Sequence, residues 1–226
     1  MLKVIKTADG SHTIRHLELS ETYHSTHGAI QESNHVYIEQ GLHYFINRFQ
    51  ARSIKILEVG FGTGLNALLT MLYEKAQSIE KTYHSVEAFP LPEVILNQLN
   101  YPDHLPHQGA AQGFLELHKA NWGEDVRLNN TFTIHKIHAD ICSLRLEEDF
   151  YDLVYFDAFA PKIQPEIWAK SVLANVVSVM REKGVMVTYC ASGQFKRDLK
   201  DLNMEVEEVP GPPGKRVMVR ACRLRK

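Results

Sequence analysis

The strongest constraint on the fold is a run of three glycines at alternate positions, placed directly after a short β-rich segment. Residues 53–59 read SIKILEV, and Glu58-Val-Gly60-Phe-Gly62-Thr-Gly64 leads from them into a helical pattern over residues 65–76. Glycines allow a tight turn and let a ligand approach the backbone without a Cβ in the way. The pattern predicts a strand, a ligand-binding loop and a helix, with a purely structural turn as the alternative.

Strand and helix patterns alternate along the rest of the chain. Strands are predicted at 82–87, 132–137, 153–157 and 184–189, and helices at 36–49, 91–99, 110–120, 165–183 and 194–202. The runs 204–209 and 217–224 flank GPPGKR and predict a terminal antiparallel pair. This order predicts an α/β, Rossmann-like fold with a mainly parallel seven-stranded sheet and a C-terminal antiparallel hairpin. Residues 51–226 would form this domain, and residues 1–50 an N-terminal extension and helix packed on it.

The composition predicts a globular protein of the cytoplasm. Apolar residues make up 44% of the 226 residues, but no run approaches the roughly 20 residues of a membrane span, and the N-terminus lacks the apolar core of a signal peptide. Three scattered cysteines do not suggest a disulfide framework. The net charge is −2, yet residues 211–226 contain six basic residues and no acid: Lys215, Arg216, Arg220, Arg223, Arg225 and Lys226. This segment is either a solvated tail or a basic face for nucleic acid.

The spacing of the glycines favours S-adenosylmethionine (SAM) over a dinucleotide. The dinucleotide pattern G-x-G-x-x-G, started at Gly60, would require glycine at position 65, which is Leu65. SAM has no pyrophosphate and carries a cationic end that Glu58 can hold directly or through water. The loop and the first residues of the helix are therefore the predicted cofactor site: Gly60, Phe61, Gly62, Gly64, Leu65 and Asn66.

Acidic residues follow two further strands, where ligands of open α/β sheets bind. Glu87 is predicted to accept hydrogen bonds from the ribose hydroxyls of SAM, with Ala88 beside it; an ordinary exposed acid is the alternative. Asp140 is predicted to accept from the adenine amine, with Ile141 in apolar contact; a turn or helix-cap aspartate is equally compatible.

Asp157 is the predicted catalytic residue, because it follows the apolar run LVYF and precedes the loop Ala-Phe-Ala-Pro161. In an in-line methyl transfer from a sulfonium the protein mainly aligns donor and acceptor. An amine must be uncharged to attack, and Asp157 can hold its N–H groups and take up or relay the proton. Asp157 also belongs to the predicted cofactor-binding residues, and the alternative is that it only braces the loop. Phe159 is the best candidate to stack on a planar substrate, since it lies in that loop.

Five segments resemble the N-terminal half of MnmC, a bifunctional tRNA-modifying family, and its stand-alone relatives called MnmD. They read TYHSxxGAxxESxHV (22–36), EVGFGTGLNALL (58–69), SVEAFPL (85–91), FDAFAPKIQPEIW (156–168) and PGPPGKRVMVRA (210–221). The resemblance spans nearly the whole chain. GFGTGLN and DAFAPxxxPxxW, in this order, are much more specific than a glycine loop alone.

The resemblance implies a class I SAM-dependent methyltransferase that converts the aminomethyl group of 5-aminomethyl-(2-thio)uridine, at the wobble position of tRNA, to methylaminomethyl. It also implies that Asp157 lies at the reacting amine. Tyr23, Phe159, Pro161, Lys215 and Arg216 are predicted to contact the substrate, with Lys215 and Arg216 either near the cofactor mouth or on phosphate. Tyr23, His24 and Glu32 of the matched N-terminal segment either close over the cofactor or pack the extension on the sheet. The flavin-dependent second domain of the bifunctional relatives is not expected here, and neither is FAD.

Two other functions are compatible with the same fold and glycine loop. An aminopropyltransferase would use decarboxylated SAM on the same fold, and a scaffold would bind SAM and tRNA without catalysis. The pairs His104/His107 and His135/His138 are spaced by three, but no Cys or acid completes a ligand set. No metal and no membrane association are therefore predicted.

Overall fold

The N-terminal extension forms a small sheet and an interrupted helix in the computed structural model, which describes residues 1–225. Strands β1 (Leu2–Lys6), β2 (His12–His16) and β3 (Glu21–Thr22) pair antiparallel in this order. Helix α1 (Ala29–Ser33) continues through a π-helix (Asn34–His43) into α2 (Tyr44–Phe49). The helix predicted over residues 36–49 is confirmed and begins earlier, whereas the three short strands were not predicted.

The centre of the fold is an eight-stranded sheet ordered β10-β11-β9-β8-β4-β5-β7-β6. Its strands are β4 (Ser53–Val59), β5 (Glu80–Glu87), β6 (Asp125–Asn129), β7 (Phe132–His138), β8 (Tyr151–Phe156), β9 (Met180–Thr188), β10 (Met204–Pro210) and β11 (Val217–Arg223). The five strands from β9 to β7 in this order are parallel, and β10 and β11 form the antiparallel hairpin. The fold class is confirmed. The predicted number of strands was wrong, because β6 adds an antiparallel edge strand beside β7.

Five helices follow the glycine loop: α3 (Leu65–Leu72), α4 (Glu93–Leu96), α5 (Ala110–Lys119), α6 (Lys170–Val179) and α7 (Gly193–Asp201). The long helix predicted over residues 165–183 was wrong at both ends. Met180 pairs with Tyr151, and a register shift between β8 and β9 then carries the chain into the sheet. Apolar spacing alone does not reveal that pairing.

Both faces of the central strands are buried. Within β4, Ile56 belongs to the core beneath the π-helix, α3 and α5, while Leu57 belongs to the core beneath α6 and α7. Burial on both faces explains why β4 and β8 read as nearly continuous apolar runs. The carboxyl ends of the parallel strands consequently meet at one edge. None of the helices within residues 1–225 is long and apolar enough to cross a membrane.

The basic C-terminal segment is largely tied into the fold. Arg220 pairs with Glu207 at 2.7 Å, Arg223 pairs with Asp149 and donates to the Met180 carbonyl, and Arg225 lies 4.0 Å from Glu182. Lys226 lies outside the described residues. The interpretation of Arg220 and Arg223 as part of a basic surface was wrong, because both side chains are nearly buried in ion pairs with acidic residues of the same domain, whereas the Arg225 side chain is 71% exposed.

Candidate active site

A cavity of about 410 Å³ lies at the carboxyl ends of β4, β5, β7 and β8. Most of the residues predicted for a site line it: Tyr23, Gly60, Phe61, Gly62, Leu65, Asn66, Glu87, Ala88, Asp140, Ile141, Asp157, Phe159 and Lys215. The N-terminal extension closes one side with residues 21–26 and Glu32. A volume of this size is typical of cofactor and small-molecule sites.

Four predicted site residues do not line the cavity: Glu58, Gly64, Pro161 and Arg216. Glu58 is fully buried beneath the glycine loop, where its Oε2 accepts from the Ser85 hydroxyl at 2.5 Å and its Oε1 has no partner among residues 1–225. Burial raises the pKa of Glu58 to about 8. Because this carboxylate lies behind the cavity wall, its contact with a cofactor stays a prediction.

Gly60 is the point at which three strand ends converge. Its N–H donates to the Val86 carbonyl of β5 at 2.9 Å, and Asp157, the residue that follows β8, donates its N–H to the Val59 carbonyl at 3.0 Å. Gly60 has a φ of +96°, and a Cβ at this position would lie 2.5 Å from the Asp157 carbonyl oxygen. Glycine is therefore required at position 60 for two reasons: the positive φ is unfavourable for other residues, and a side chain would have no room beside Asp157.

The Glu87 carboxylate is fixed at the end of β5. Its Oε2 accepts from the Gly62 N–H at 2.9 Å and its Oε1 from the Phe89 N–H at 2.8 Å. Each oxygen retains a further lone pair, which suits a pair of ribose hydroxyls in the cavity. Asp140 accepts from the Cys142 N–H at 2.8 Å and also lines the cavity. It is thus a turn residue and a cavity residue at once.

Asp157 lies in the cavity wall between two donors. Tyr37 donates its hydroxyl to Oδ1 at 2.6 Å, and Asn66 donates its amide to Oδ2 at 2.8 Å. Burial raises the pKa of Asp157 to about 6, and the hydrogen bonds from Tyr37 and Asn66 oppose that rise. Asp157 is therefore mainly ionised at pH 7 and able to accept a proton near neutrality. Sequence reasoning missed Tyr37, which reads as one more apolar position of its helix.

The loop after β8 holds Phe159 in the cavity wall. The Phe159 N–H donates to the Gln164 side chain, and its carbonyl accepts from the Trp168 indole at 2.7 Å. The ring meets Tyr23 of the N-terminal extension edge to face, with centroids 5.0 Å apart. Phe159 and Tyr23 thus form an aromatic part of the cavity wall. Sequence reasoning had not assigned Gln164 and Trp168, which hold this loop, to the site.

Glu32 is a further carboxylate of the cavity, and it is paired with a cation there. Glu32 of α1 accepts from the Lys215 ammonium at 2.8 Å and from the Ser25 N–H at 2.7 Å. The Lys215 nitrogen also lies 3.7 Å from the centroid of the Tyr189 ring. His24, which also lines the cavity, is neutral at pH 7 because burial lowers its pKa to about 4.

Two histidines and an aspartate form a cluster that differs from the sequence pairs His104/His107 and His135/His138. The ligand atoms of His84, Asp125 and His135 lie within 4.8 Å of one another, outside the cavity. His135 bonds Asp125 at 2.7 Å and His84 bonds the Tyr151 hydroxyl at 2.8 Å. These bonds account for the cluster, and the absence of a metal stays a prediction.

Comparison with known proteins identifies related sequences over most of the chain. A family model described as S-adenosyl-L-methionine-dependent methyltransferase matches residues 109–223. The tRNA 5-methylaminomethyl-2-thiouridine biosynthesis bifunctional protein MnmC of Leptospira interrogans is 30% identical over 217 residues, which are 89% of this chain and 32% of that protein. MnmC of Ralstonia nicotianae is 26% identical, again over 89% and 32%. The chain spans about a third of the length of these curated relatives.

A solved structure shares the fold over the full length. The crystal structure of MnmC2 from Aquifex aeolicus matches with a TM-score of 0.80 and 26% identity, covering 100% of this chain and 71% of that one. The match includes the N-terminal extension, which contributes to the cavity together with the sheet.

Proposed function

Because the chain belongs to the S-adenosyl-L-methionine-dependent methyltransferase family, we propose that it methylates the aminomethyl group of a wobble uridine in tRNA. The product would be 5-methylaminomethyl-(2-thio)uridine. The relatives named for the biosynthesis of this nucleoside support the substrate. The observation that carries the proposal is Asp157, a carboxylate with a raised pKa in the wall of a cavity at the strand ends. The cytoplasm is the proposed location, consistent with three free cysteines.

The cavity suggests how SAM would lie in it. Glu87 would hold the ribose, and Asp140 with Ile141 would border the adenine. The amino-acid end would meet the backbone of the glycine loop, where Gly60 and Gly62 leave room. This placement directs the sulfonium toward the end of β8, which is where Asp157 lies.

The transfer needs an uncharged nitrogen in line with the methyl group. Asp157 would accept a hydrogen bond from the acceptor amine and aim its lone pair at the methyl carbon. As the carbon–nitrogen bond formed and the carbon–sulfur bond of SAM broke, the nitrogen would become cationic, and the Asp157 carboxylate would accept its proton. Tyr37 and Asn66 hold that carboxylate in place throughout.

Mass analysis of tRNA nucleosides tests the proposed reaction. We would incubate the protein with methyl-labelled SAM and tRNA that carries 5-aminomethyl-2-thiouridine, then digest the tRNA. The proposal expects labelled 5-methylaminomethyl-2-thiouridine in the digest and no product from tRNA with an unmodified wobble uridine. Label in another nucleoside, or none, would contradict it.

Replacing Glu87 with alanine is expected to weaken SAM binding by about tenfold or more, because hydrogen bonds to a charged group contribute about 1.5–3 kcal/mol each. The change also removes the acceptor of the Gly62 N–H, so the glycine loop loses a hydrogen bond that holds it in place. Titration calorimetry with SAM measures the effect. Glu80→Ala, at the exposed opposite end of β5, is the matched control and should bind normally.

Removing the Tyr37 hydroxyl is expected to shift the acid side of the pH–rate profile upward. The hydrogen bond from Tyr37 lowers the pKa of Asp157, so Tyr37→Phe raises that pKa above about 6. Ionised Asp157 is the active form, and its fraction falls as the pH drops through the pKa. Profiles of kcat at saturating substrate should show a larger loss at pH 6 than at pH 8. Tyr151→Phe, which frees His84 outside the cavity, should leave the profile in place.

We assign phosphate contact to two exposed cations, one that lines the cavity and one in the β10–β11 loop, beside a cavity-lining residue in the sequence. Lys162 lines the cavity and is 77% exposed, and Arg216 is exposed beside Lys215. The double variant Lys162→Ala/Arg216→Ala should weaken tRNA binding and reduce the slope of log affinity against log salt by about two. SAM affinity should not change. Arg52→Ala/Lys75→Ala, at the opposite edge of the sheet, is the control, and an equal effect there would refute the assignment.

A further inference from the structure

Glu32 and Lys215 form an ion pair that the transfer chemistry does not use. The Glu32 side chain is 9% exposed and lies in the cavity wall, whereas the Lys215 side chain is 35% exposed and enters from the loop after β10. A carboxylate this buried requires a partner. Lys215 supplies that partner here, but its side chain has a path to solvent.

The cavity as a whole carries an excess of negative charge. Its lining contains five acids and two lysines: Glu21, Glu32, Glu87, Asp140, Asp157, Lys162 and Lys215. Such a cavity favours cationic ligands. SAM brings one sulfonium charge, and a protonated primary amine on the acceptor would bring a second.

Tyr189 completes a cation-binding corner beside Asp157. Its hydroxyl donates to the Ala158 carbonyl at 2.8 Å, which fixes the ring next to the residue that follows Asp157. The face of the ring and the Glu32 carboxylate both contact the Lys215 ammonium. A buried carboxylate together with an aromatic face is the chemistry that recognises an alkylammonium group. Asp157 is within electrostatic reach, since both Glu32 and Lys215 influence its pKa.

We propose that Glu32 and Tyr189 form the subsite for the alkylammonium group of the acceptor, and that Lys215 occupies this subsite in the empty protein and leaves it when the substrate binds. The inference rests on the proposed function, because it concerns the amine of that substrate. Primary alkylamines are mainly protonated at neutral pH. The subsite binds the ammonium next to Asp157. The ammonium releases one proton to solvent before the transfer, so that the nitrogen that attacks is uncharged, and the subsite itself takes no part in bond making or breaking.

The test compares two tRNAs in the absence of methyl transfer. Dissociation constants would be measured with S-adenosylhomocysteine present, for tRNA with 5-aminomethyl-2-thiouridine and for the same tRNA with an unmodified wobble uridine. Wild-type protein should prefer the amine by about tenfold or more. Glu32→Gln should lose most of this preference while its affinity for unmodified tRNA stays the same. Glu21→Gln removes another acid of the cavity and should retain the preference.

The variant Lys215→Met tests whether the substrate amine displaces Lys215 from the subsite or whether Lys215 contacts the RNA directly. If Lys215 competes with the substrate amine, its removal should leave affinity for the aminomethyl tRNA equal or higher. Equal losses for both tRNAs would overturn the displacement, because they indicate a phosphate contact. The Lys215→Met variant leaves the Glu32 carboxylate without its partner, and this unpaired charge could prevent folding. The double variant Glu32→Gln/Lys215→Met avoids the problem because neither side chain of the pair is charged. It should fold and bind both tRNAs equally, and a retained preference would overturn the subsite.

The outcomes also separate the subsite from the proposed function. Wild-type protein without any preference for the amine would contradict the aminomethyl substrate itself. A wild-type preference that survives unchanged in Glu32→Gln would contradict the subsite alone.

Discussion

Asp157→Asn is expected to slow methyl transfer by about 100- to 10,000-fold, the range that positioned acid–base groups contribute. Asparagine keeps the shape of the side chain but accepts no proton from the amine. Cofactor affinity should change much less than the rate, since the proposed hydrogen bonds to SAM belong to other residues. The measurement is single-turnover transfer of a labelled methyl group to tRNA.

The fold should tolerate this change. The raised pKa of Asp157 means that the ionised carboxylate is less stable in the folded protein than in the unfolded chain. That penalty is absent at low pH, grows as the pH rises from about 4 to 6, and is fully present at neutral pH. Asn66 can also reverse its amide, because its Oδ1 has no partner among residues 1–225, and accept from the newly introduced side-chain amide. The melting temperature at pH 7.5 should therefore stay equal or rise.

Asp152→Asn is the matched control for that variant. Asp152 lies on β8, the strand that Asp157 directly follows, but accepts from the Lys55 N–H at 2.8 Å, pairs with Arg181, and does not line the cavity. Its replacement should cost some stability and leave turnover nearly normal. Normal turnover in Asp157→Asn, or a loss fully explained by unfolding, would remove Asp157 from the reaction.

Gly60→Ala is expected to abolish detectable SAM binding and to destabilise the fold by about 2–5 kcal/mol, the sum of a left-handed backbone penalty and an overpacked contact. The new Cβ would lie 2.5 Å from the Asp157 carbonyl oxygen. Backbone hydrogen bonds join Gly60 to Val86 at the end of β5, and Asp157 to Val59 at the end of β4. The backbone therefore cannot move away from the new Cβ without disrupting the cavity wall. Chemical denaturation and calorimetric titration measure the two effects.

Gly123→Ala separates conformational strain from the clash. Gly123 has a φ of +82°, similar to that of Gly60, but a Cβ there would have no neighbour within 4 Å. It should cost only the backbone penalty, about 1–2 kcal/mol, and leave SAM binding intact. Equal losses in the two variants would mean that the close approach of β4 and β8 does not matter for the site.

The parts of the fold that could be predicted are those with a local cause. The glycine pattern of residues 60–64 requires a turn. Strands that are buried on both faces have nearly continuous apolar sequences, such as SIKILEV, and can be recognised by them. β6 and the N-terminal strands were missed because they are short and half exposed, so that their pairing partners, rather than their own residues, define them. The helix predicted over residues 165–183 extended too far for the same reason: Met180 pairs with β8, and its own sequence does not reveal that pairing.

The candidate site shows the same division. Residues that directly follow or end strands, such as Glu87 and Asp157, could be placed because the ends of parallel strands share one edge. Tyr37 could not, because its hydroxyl reaches Asp157 across 120 residues of sequence. A count of basic residues was misleading near the C-terminus, because Arg220 and Arg223 pair within the fold.

We expect SAM to lie across the carboxyl ends of the strands with its sulfonium facing Asp157. The most direct measurement is a crystal structure of the protein with S-adenosylhomocysteine bound. In that structure the ribose hydroxyls should bind the Glu87 carboxylate, the amino-acid end should contact the Gly60–Gly62 backbone, and open space should separate the sulfur from Asp157. A ligand bound elsewhere, or one whose sulfur faces away from Asp157, would contradict this placement.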